Sequence, residues 1–212
     1  MMKARRSVIL PLLVTLLLVS GVSSAAVAAG PITEIESTVK QVTKILTDPT
    51  LQGEDKRAER DTLLRSTMAP RFDFREMAKR SLGPYWNRLT TDQQNKFARL
   101  FTGLLERAYL GRIESYHGGD FVFTRQTISG GYAEVDSKMV TKQEDDVPID
   151  YYLLRVGNEW KIYDVMIEGI SLVNNYRAQF DDVIYRYSYG ELVRRMKQKL
   201  AQNSSRSDQA RS

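Results

Sequence analysis

The sequence predicts an α+β fold, with helices packed on one face of a curved, four-stranded antiparallel sheet. Apolar residues recur at steps of three and four up to Ile113 and again after Gly169, which is the helical period. Between Phe121 and Ile167 they alternate with a period of two, as in half-buried strands. The links between these strands are short, so consecutive strands must pair antiparallel. The order is therefore an N-terminal helical part, four strands and closing helices.

The first 29 residues have the layout of a secretory signal peptide. Three basic residues precede an apolar run from Val8 to Val19, and small residues follow as far as Ala29. The run is interrupted by Pro11 and is short for a membrane span. We expect cleavage near Ala29 and a periplasmic location, with an uncleaved anchor as the alternative.

The mature chain is nearly neutral and contains no cysteine. Loss of the three basic residues of the signal peptide lowers the formal net charge from +5 to +2, which weakens any nucleic-acid argument. Without disulfides the core alone must hold the fold, which a chain of this size can do. We expect one domain over residues 30–202, with the helical part at about 30–118 and the sheet with its closing helices at about 119–202. A disordered tail is expected over 203–212.

Three helices are predicted in the first part of the mature chain. Ile32–Leu46 forms an amphipathic helix, and Gly53–Arg65 a more polar one. The third begins at Asp73, which has the capping-box spacing with Glu76, and stops at Gly83.

A fourth, longer helix of about 25 residues follows. Thr91 and Gln94 have capping-box spacing at its start, and it is predicted to end at His117. One broad face of this helix is apolar.

The four predicted strands are separated by short polar turns. They cover Phe121–Thr127, Ala133–Met139, Ile149–Val156 and Trp160–Ile167. After Gly169 a helix continues to Tyr187, and a last helix runs from Gly190 to about Leu200. A curved sheet closed by a long helix is the plan of cystatin-like and nuclear-transport-factor-like folds, which enclose a pocket.

The sequence contains little catalytic equipment. The chain has one histidine, His117, and no cysteine, so a metal site and a cofactor are not expected. Asp164, in an otherwise apolar strand, is the best candidate for a general base. The alternative is a carboxylate that faces solvent or pairs with an arginine. Glu168 is predicted to cap the helix that follows it.

Three segments resemble the MlaC family of Mla-type (toluene-tolerance) periplasmic phospholipid-binding proteins. They are "FDFREMAKRSLGPYWNRLTTDQQNKFARLFTGLLERAYLGRIESY", "VPIDYYLLRVGNEWKIYDVMIEGISLVNNYRAQF" and "GELVRRMKQKL". The resemblance implies that the protein is a lipid carrier and not an enzyme. It also implies that the bound ligand is a phospholipid. It also implies partners, an outer-membrane lipoprotein complex and an inner-membrane ABC transporter complex, between which the carrier maintains outer-membrane lipid asymmetry.

The apolar faces of the long helix, the strands and the closing helix are the predicted lipid-binding site, although periodicity cannot distinguish a lined cavity from a filled core. The predicted residues are Trp86, Phe97, Leu100, Phe101, Leu104, Leu105, Tyr109, Val135, Met139, Tyr152, Leu154, Val165, Ile167, Ile170 and Val173. Two rivals stay open: a small-molecule enzyme that uses Asp164, and a chaperone-like module that binds apolar protein segments. The basic cluster of the last helix is read as a solvated face, with an acidic-lipid patch as the alternative.

Overall fold

A computed structural model describes residues 29–114, 120–140 and 146–209. Residues 1–28 of the predicted signal peptide, His117 and the last three residues lie outside this part. The helices are α1 (Pro31–Thr47), α2 (Arg57–Met68), α3 (Phe74–Leu82), α4 (Thr91–Glu114), α5 (Leu172–Arg186) and α6 (Tyr189–Gln209). No helix in the described part combines the length and apolarity that a bilayer crossing requires.

Side-chain caps begin α3 and α4. The Asp73 carboxylate accepts a hydrogen bond from the Glu76 amide at 2.8 Å, as predicted. The cap of α4 is Thr90 and not Thr91: its hydroxyl accepts from the Gln93 amide, and its own amide donates to the Gln93 side chain. Both threonines have a glutamine three residues later, so the spacing alone could not separate them.

The sheet is antiparallel and follows chain order. Its strands are β1 (Asp120–Ser129), β2 (Tyr132–Val140), β3 (Val147–Val156), β4 (Glu159–Ile167) and the short β5 (Ile170–Ser171). The α+β class is thus confirmed, and a two-residue fifth strand joins the predicted four. One edge of β4 is covered by the segment before α3, because the Asp73 amide donates to the Ile162 carbonyl at 2.8 Å.

The buried residues form two apolar clusters. The helical cluster lies among α3, α4, α5 and α6, and its members are Met77, Ala78, Leu82, Trp86, Phe97, Phe101, Leu104, Leu105, Val173, Phe180, Leu192 and Met196. The sheet cluster lies between α1 and the inner face of the sheet, and its members are Ile35, Ala133, Val135, Tyr151, Leu153, Trp160, Ile162 and Val165. Phe72 packs against both clusters.

The last helix is longer than predicted. Its predicted end is near Leu200, but α6 continues through Gln209. No glycine or proline stands between Leu200 and Gln209 to stop the helix.

Candidate functional site

The β4–α5 junction, residues 164–173, turns the chain from the sheet into the helical layer. Ile167 and Ile170 pair across a two-residue turn, in which Glu168 and Gly169 have φ values of 50° and 77°. Positive φ at both central residues is the mark of a type I′ hairpin turn. Glu168 therefore belongs to the turn, and the prediction that it caps α5 is wrong.

The Asp164 carboxylate organises the start of α5. One of its oxygens accepts from the amides of Val165 at 2.8 Å and Val173 at 3.0 Å. The other accepts from the hydroxyl of Ser171. That hydroxyl in turn accepts from the Asn174 amide at 3.0 Å, so Ser171 is the N-cap of α5.

This arrangement decides between the roles considered for Asp164. The side chain is buried, and both of its oxygens already accept hydrogen bonds from the protein. A carboxylate held in this way stabilises the junction, whereas a general base needs reach to a substrate proton. The wet-face and arginine-paired alternatives are also wrong, because the partners are two amides and a hydroxyl.

Eight predicted lipid-binding residues come together around the helical cluster. Phe101 and Phe97 stack on α4 and meet Phe180 of α5 edge-on, with ring centroids 5.8 Å and 5.6 Å away. Tyr176 meets Phe101 at 5.2 Å. The eight are Trp86, Phe97, Phe101, Leu104, Leu105 and Val173 within the cluster, and Leu100 and Tyr109 packed against it. Tyr176 and Phe180 belong to the same surface although the prediction omitted them.

Four further predicted residues face the sheet cluster. Val135 and Val165 are buried within it, and Ile167 packs against it. Met139 is half-buried on β2, two residues beyond the buried Ser137 and therefore on the same face. The eight residues at the helical cluster and the four at the sheet cluster thus belong to different parts of the core. The β4–α5 junction connects these two parts.

The prediction placed Tyr152 and Leu154 on the wrong face of β3. Tyr151 and Leu153 are the buried residues of the sheet cluster, so their neighbours point to the outer face. The Tyr152 hydroxyl donates to Glu134 at 3.1 Å. Burial, followed by this bond, raises the pKa of Tyr152 to about 12.

A β-bulge explains the error. Tyr152 pairs with Asp164, but Leu153 pairs with Ile162, so β4 holds one extra residue, Tyr163, at this point. Alternation read along β4 alone could not reveal that shift. The register next to the β3–β4 turn is regular, with Val156 opposite Glu159 and Leu154 opposite Lys161. Pairing the strands from that turn would therefore have placed Leu154 on the same polar face as Lys161.

Ile170 differs from the rest of the predicted site. Its side chain is 61% exposed, and it lies in β5 instead of starting the closing helix. It is therefore at the surface end of the β4–α5 junction and not part of a buried wall.

Two open grooves in the described part of the chain are lined mainly by residues with polar and charged side chains. One of about 310 Å³ runs over the outer face of the sheet past Arg125, Asp136 and Asp150. The other, of about 370 Å³, follows α1 past Glu36 and Lys40. Neither contains a predicted lipid-binding residue. Across the described residues, no group of three histidine, cysteine or acidic side chains is placed to hold a metal ion.

Comparison with known proteins identifies the class to which this fold belongs. The fold matches a solved phospholipid-binding protein from Ralstonia solanacearum, in complex with a phospholipid, with a TM-score of 0.72 and 27% identity. The match covers 82% of this chain and 98% of that one. The model of the MlaC protein family matches residues 36–198. The chain belongs to the MlaC family.

Two curated relatives are similar to this chain. The intermembrane phospholipid transport system binding protein MlaC of Haemophilus influenzae is 22% identical over 146 residues, which is 66% of this chain and 68% of that protein. The toluene tolerance protein ttg2D of Pseudomonas putida is 28% identical over 103 residues, about half of each chain at 48%.

Proposed function

We propose that this protein is a periplasmic phospholipid carrier and not an enzyme. After removal of its signal peptide, it exchanges lipid with an outer-membrane lipoprotein complex and an inner-membrane ABC transporter complex. This exchange maintains the lipid asymmetry of the outer membrane. Membership in the MlaC family and the phospholipid held by the Ralstonia solanacearum protein support the proposal.

The observation that carries the proposal is the division of the core into two apolar clusters. A cavity opened between the helical and sheet clusters would be lined by apolar side chains on both sides. Burial of acyl chains gains about 0.8 kcal/mol per CH₂, or on the order of 12 kcal/mol for a chain of about 16 carbons. That gain does not depend on specific polar contacts.

The composition of the clusters favours cargo of varied chain length. Met77 is a member of the helical cluster, and Met139 lies on the inner face of the sheet. Flexible thioether side chains repack around different shapes. The head group remains near solvent in this arrangement, so we expect weak head-group selectivity.

Asp164 supports a binding role over catalysis. Its hydrogen bonds to Val173 and Ser171 give it a structural task at the start of α5. A carboxylate with that task holds the junction between the clusters in place and needs no substrate.

Native mass spectrometry of the mature protein tests the proposal. The protein is purified from periplasm without detergent, and its lipids are extracted in parallel. We expect a bound mass equal to one or more phospholipids, which also counts the acyl chains. A clean apoprotein that takes up no lipid from vesicles contradicts the carrier function.

A further inference from the structure

We propose that the bend between α5 and α6, together with the exposed basic side chains of α6, docks on the anionic head groups of a phospholipid bilayer. This docking surface consists of Tyr185, Tyr187, Arg194, Arg195, Lys197 and Lys199. The inference rests on the proposed carrier function, because a carrier must approach a membrane or its complexes. It adds a direct contact with lipid head groups that the acyl-chain site does not provide.

Two tyrosine rings project from the bend. Tyr185 is 87% exposed and Tyr187 is 61% exposed, although the neighbouring Tyr189 is half-buried against Phe97. A tyrosine has an apolar ring and a polar tip, which suits it to the boundary between head groups and water. Two exposed rings at a bend suit contact with such a boundary.

Positive charge is concentrated next to these rings. Residues 189–200 contain four basic residues and one acidic residue, a net charge of +3, while the whole mature chain carries only +2. The rest of the mature chain is therefore net negative, so this segment of α6 is more cationic than the chain as a whole. Such a region turns toward an anionic surface as the protein approaches it.

One of the basic side chains, Arg195, packs on the ring of Tyr187. The Arg195 guanidinium lies 4.5 Å from the centre of the Tyr187 ring. Glu191 accepts from both Arg194 and Arg195 at 2.7 Å, which keeps their side chains in place. These bonds lower the pKa of Glu191 to about 2, so it stays ionised and leaves the pair of arginines with a net positive charge.

The opposite side of α6 is anchored in the protein. Leu192 and Met196 are buried in the helical cluster, so the helix cannot rotate its basic residues inward. Lys197 and Lys199 remain exposed. Clusters of basic residues on an amphipathic helix are the usual means of binding anionic lipid surfaces.

Vesicle flotation of the mature protein tests the docking surface. We expect it to bind phosphatidylcholine vesicles that contain phosphatidylglycerol and to bind pure phosphatidylcholine far less. Raising the salt from about 0.1 M to about 1 M shortens the Debye length from about 10 Å to about 3 Å and should release the protein.

Paired variants locate the contact. The double variant Lys197→Gln/Lys199→Gln should lower binding about 25-fold, since each basic residue contributes about fivefold. The Tyr185→Ser/Tyr187→Ser variant should also weaken binding. The matched control Lys40→Gln/Lys44→Gln removes the same charge from α1 and should leave flotation unchanged.

The docking surface is overturned by no flotation, by equal binding to both vesicle types, or by full binding of the Lys197→Gln/Lys199→Gln variant. A protein partner that is lost with this variant, without any vesicle binding, also overturns it. Phospholipid extracted from the same samples keeps the two proposals separate. A lipid-free protein that still floats contradicts the carrier function alone, whereas a lipid-loaded protein that does not float contradicts the docking surface alone.

Discussion

The carboxylate of Asp164 accepts a hydrogen bond from the amide of Val173 at 3.0 Å. Asp164 directly precedes Val165 of the sheet cluster, and Val173 belongs to the helical cluster. The bond therefore connects the two clusters at the point where the chain passes from one to the other.

Loss of that carboxylate should destabilise the fold. Asp164→Ala leaves two amides and a hydroxyl without their acceptor, and we expect about 2–4 kcal/mol less free energy of unfolding in urea. Asp164→Asn keeps an acceptor for the amides and should cost less. The exposed Asp55→Ala should change stability by no more than about 0.5 kcal/mol. An Asp164→Ala variant as stable as the wild type contradicts this account.

Gly83 at the end of α3 should not tolerate a side chain. Its φ and ψ are 53° and −131°, a conformation open only to glycine, and a Cβ there would lie 3.0 Å from the Arg177 guanidinium. Gly83→Ala should cost about 2–3 kcal/mol by thermal or urea unfolding. Adding Arg177→Ala should recover only the steric part, because the backbone strain persists.

Gly111→Ala is the control, because it should raise stability where Gly83→Ala lowers it. Gly111 lies inside α4, and a Cβ there would have no neighbour within 4 Å. Gly111→Ala should stabilise the protein by about 0.5–1 kcal/mol, because alanine is the better helix former. Equal effects of Gly83→Ala and Gly111→Ala on stability would contradict the conclusion that the backbone conformation of Gly83 requires glycine.

Asp150 should make stability depend on pH. Burial, Asp136 and Glu134 raise the pKa of its carboxyl above the ordinary 3.8. The folded protein thus holds this proton more tightly than the unfolded chain, so ionisation costs stability as the pH rises through the folded pKa. Asp150→Asn should gain up to about 0.5 kcal/mol at neutral pH and nothing below pH 3.8.

The control for this effect is Asp146, which forms an ion pair with Lys138. Asp146→Asn should be neutral or slightly destabilising at neutral pH. Urea unfolding of both variants at the two pH values measures the difference. A gain for Asp150→Asn that persists at the lower pH would rule out the electrostatic cause.

The two faces of the sheet should respond differently to charge. Met139 and Leu154 are both half-buried, but Met139 lies on the inner face and Leu154 on the outer face. Met139→Glu should lower co-purified phospholipid by about tenfold or more, because a carboxylate beside acyl chains costs at least 1–3 kcal/mol. Leu154→Glu should retain its lipid, as read by lipid extraction from protein with an unchanged circular dichroism spectrum.

Ile170 tests whether the surface end of the β4–α5 junction is the entrance for lipid. Because the side chain is exposed, Ile170→Glu should change stability by no more than about 0.5 kcal/mol. We expect it to abolish lipid retention in native mass spectra. Val156→Glu, at 45% exposure in the last residue of β3, is the matched control. Normal lipid content in the Ile170→Glu variant would show that lipid does not enter at the β4–α5 junction.

Local signals explain why most elements were predictable. The periods of the apolar residues located the helices and four strands, and the Asp73 cap formed where its spacing predicted. The helical half of the candidate site followed from the α4 pattern, since Phe97, Phe101 and Leu104 do lie on one buried face. A helix face is set by chain-local geometry, so sequence spacing is sufficient there.

The sheet half of the site required tertiary contacts. A period of two identifies which residues alternate but not which set faces the core, and one extra residue reverses the answer. The bulge at Tyr163 and the pairing of Leu153 with Ile162 determine that Tyr151, and not Tyr152, faces the core.

The sequence by itself determined the α+β class, the order of the elements and the likeness to the MlaC family, because these depend on periodicity and on motifs read along the chain. Only the tertiary structure decided which face of β3 is buried, that Ile170 is exposed, and that Asp164 links the two clusters. The physical reason is distance along the chain: strand register and the bond from Asp164 to Val173 join residues whose meeting depends on how the whole fold packs.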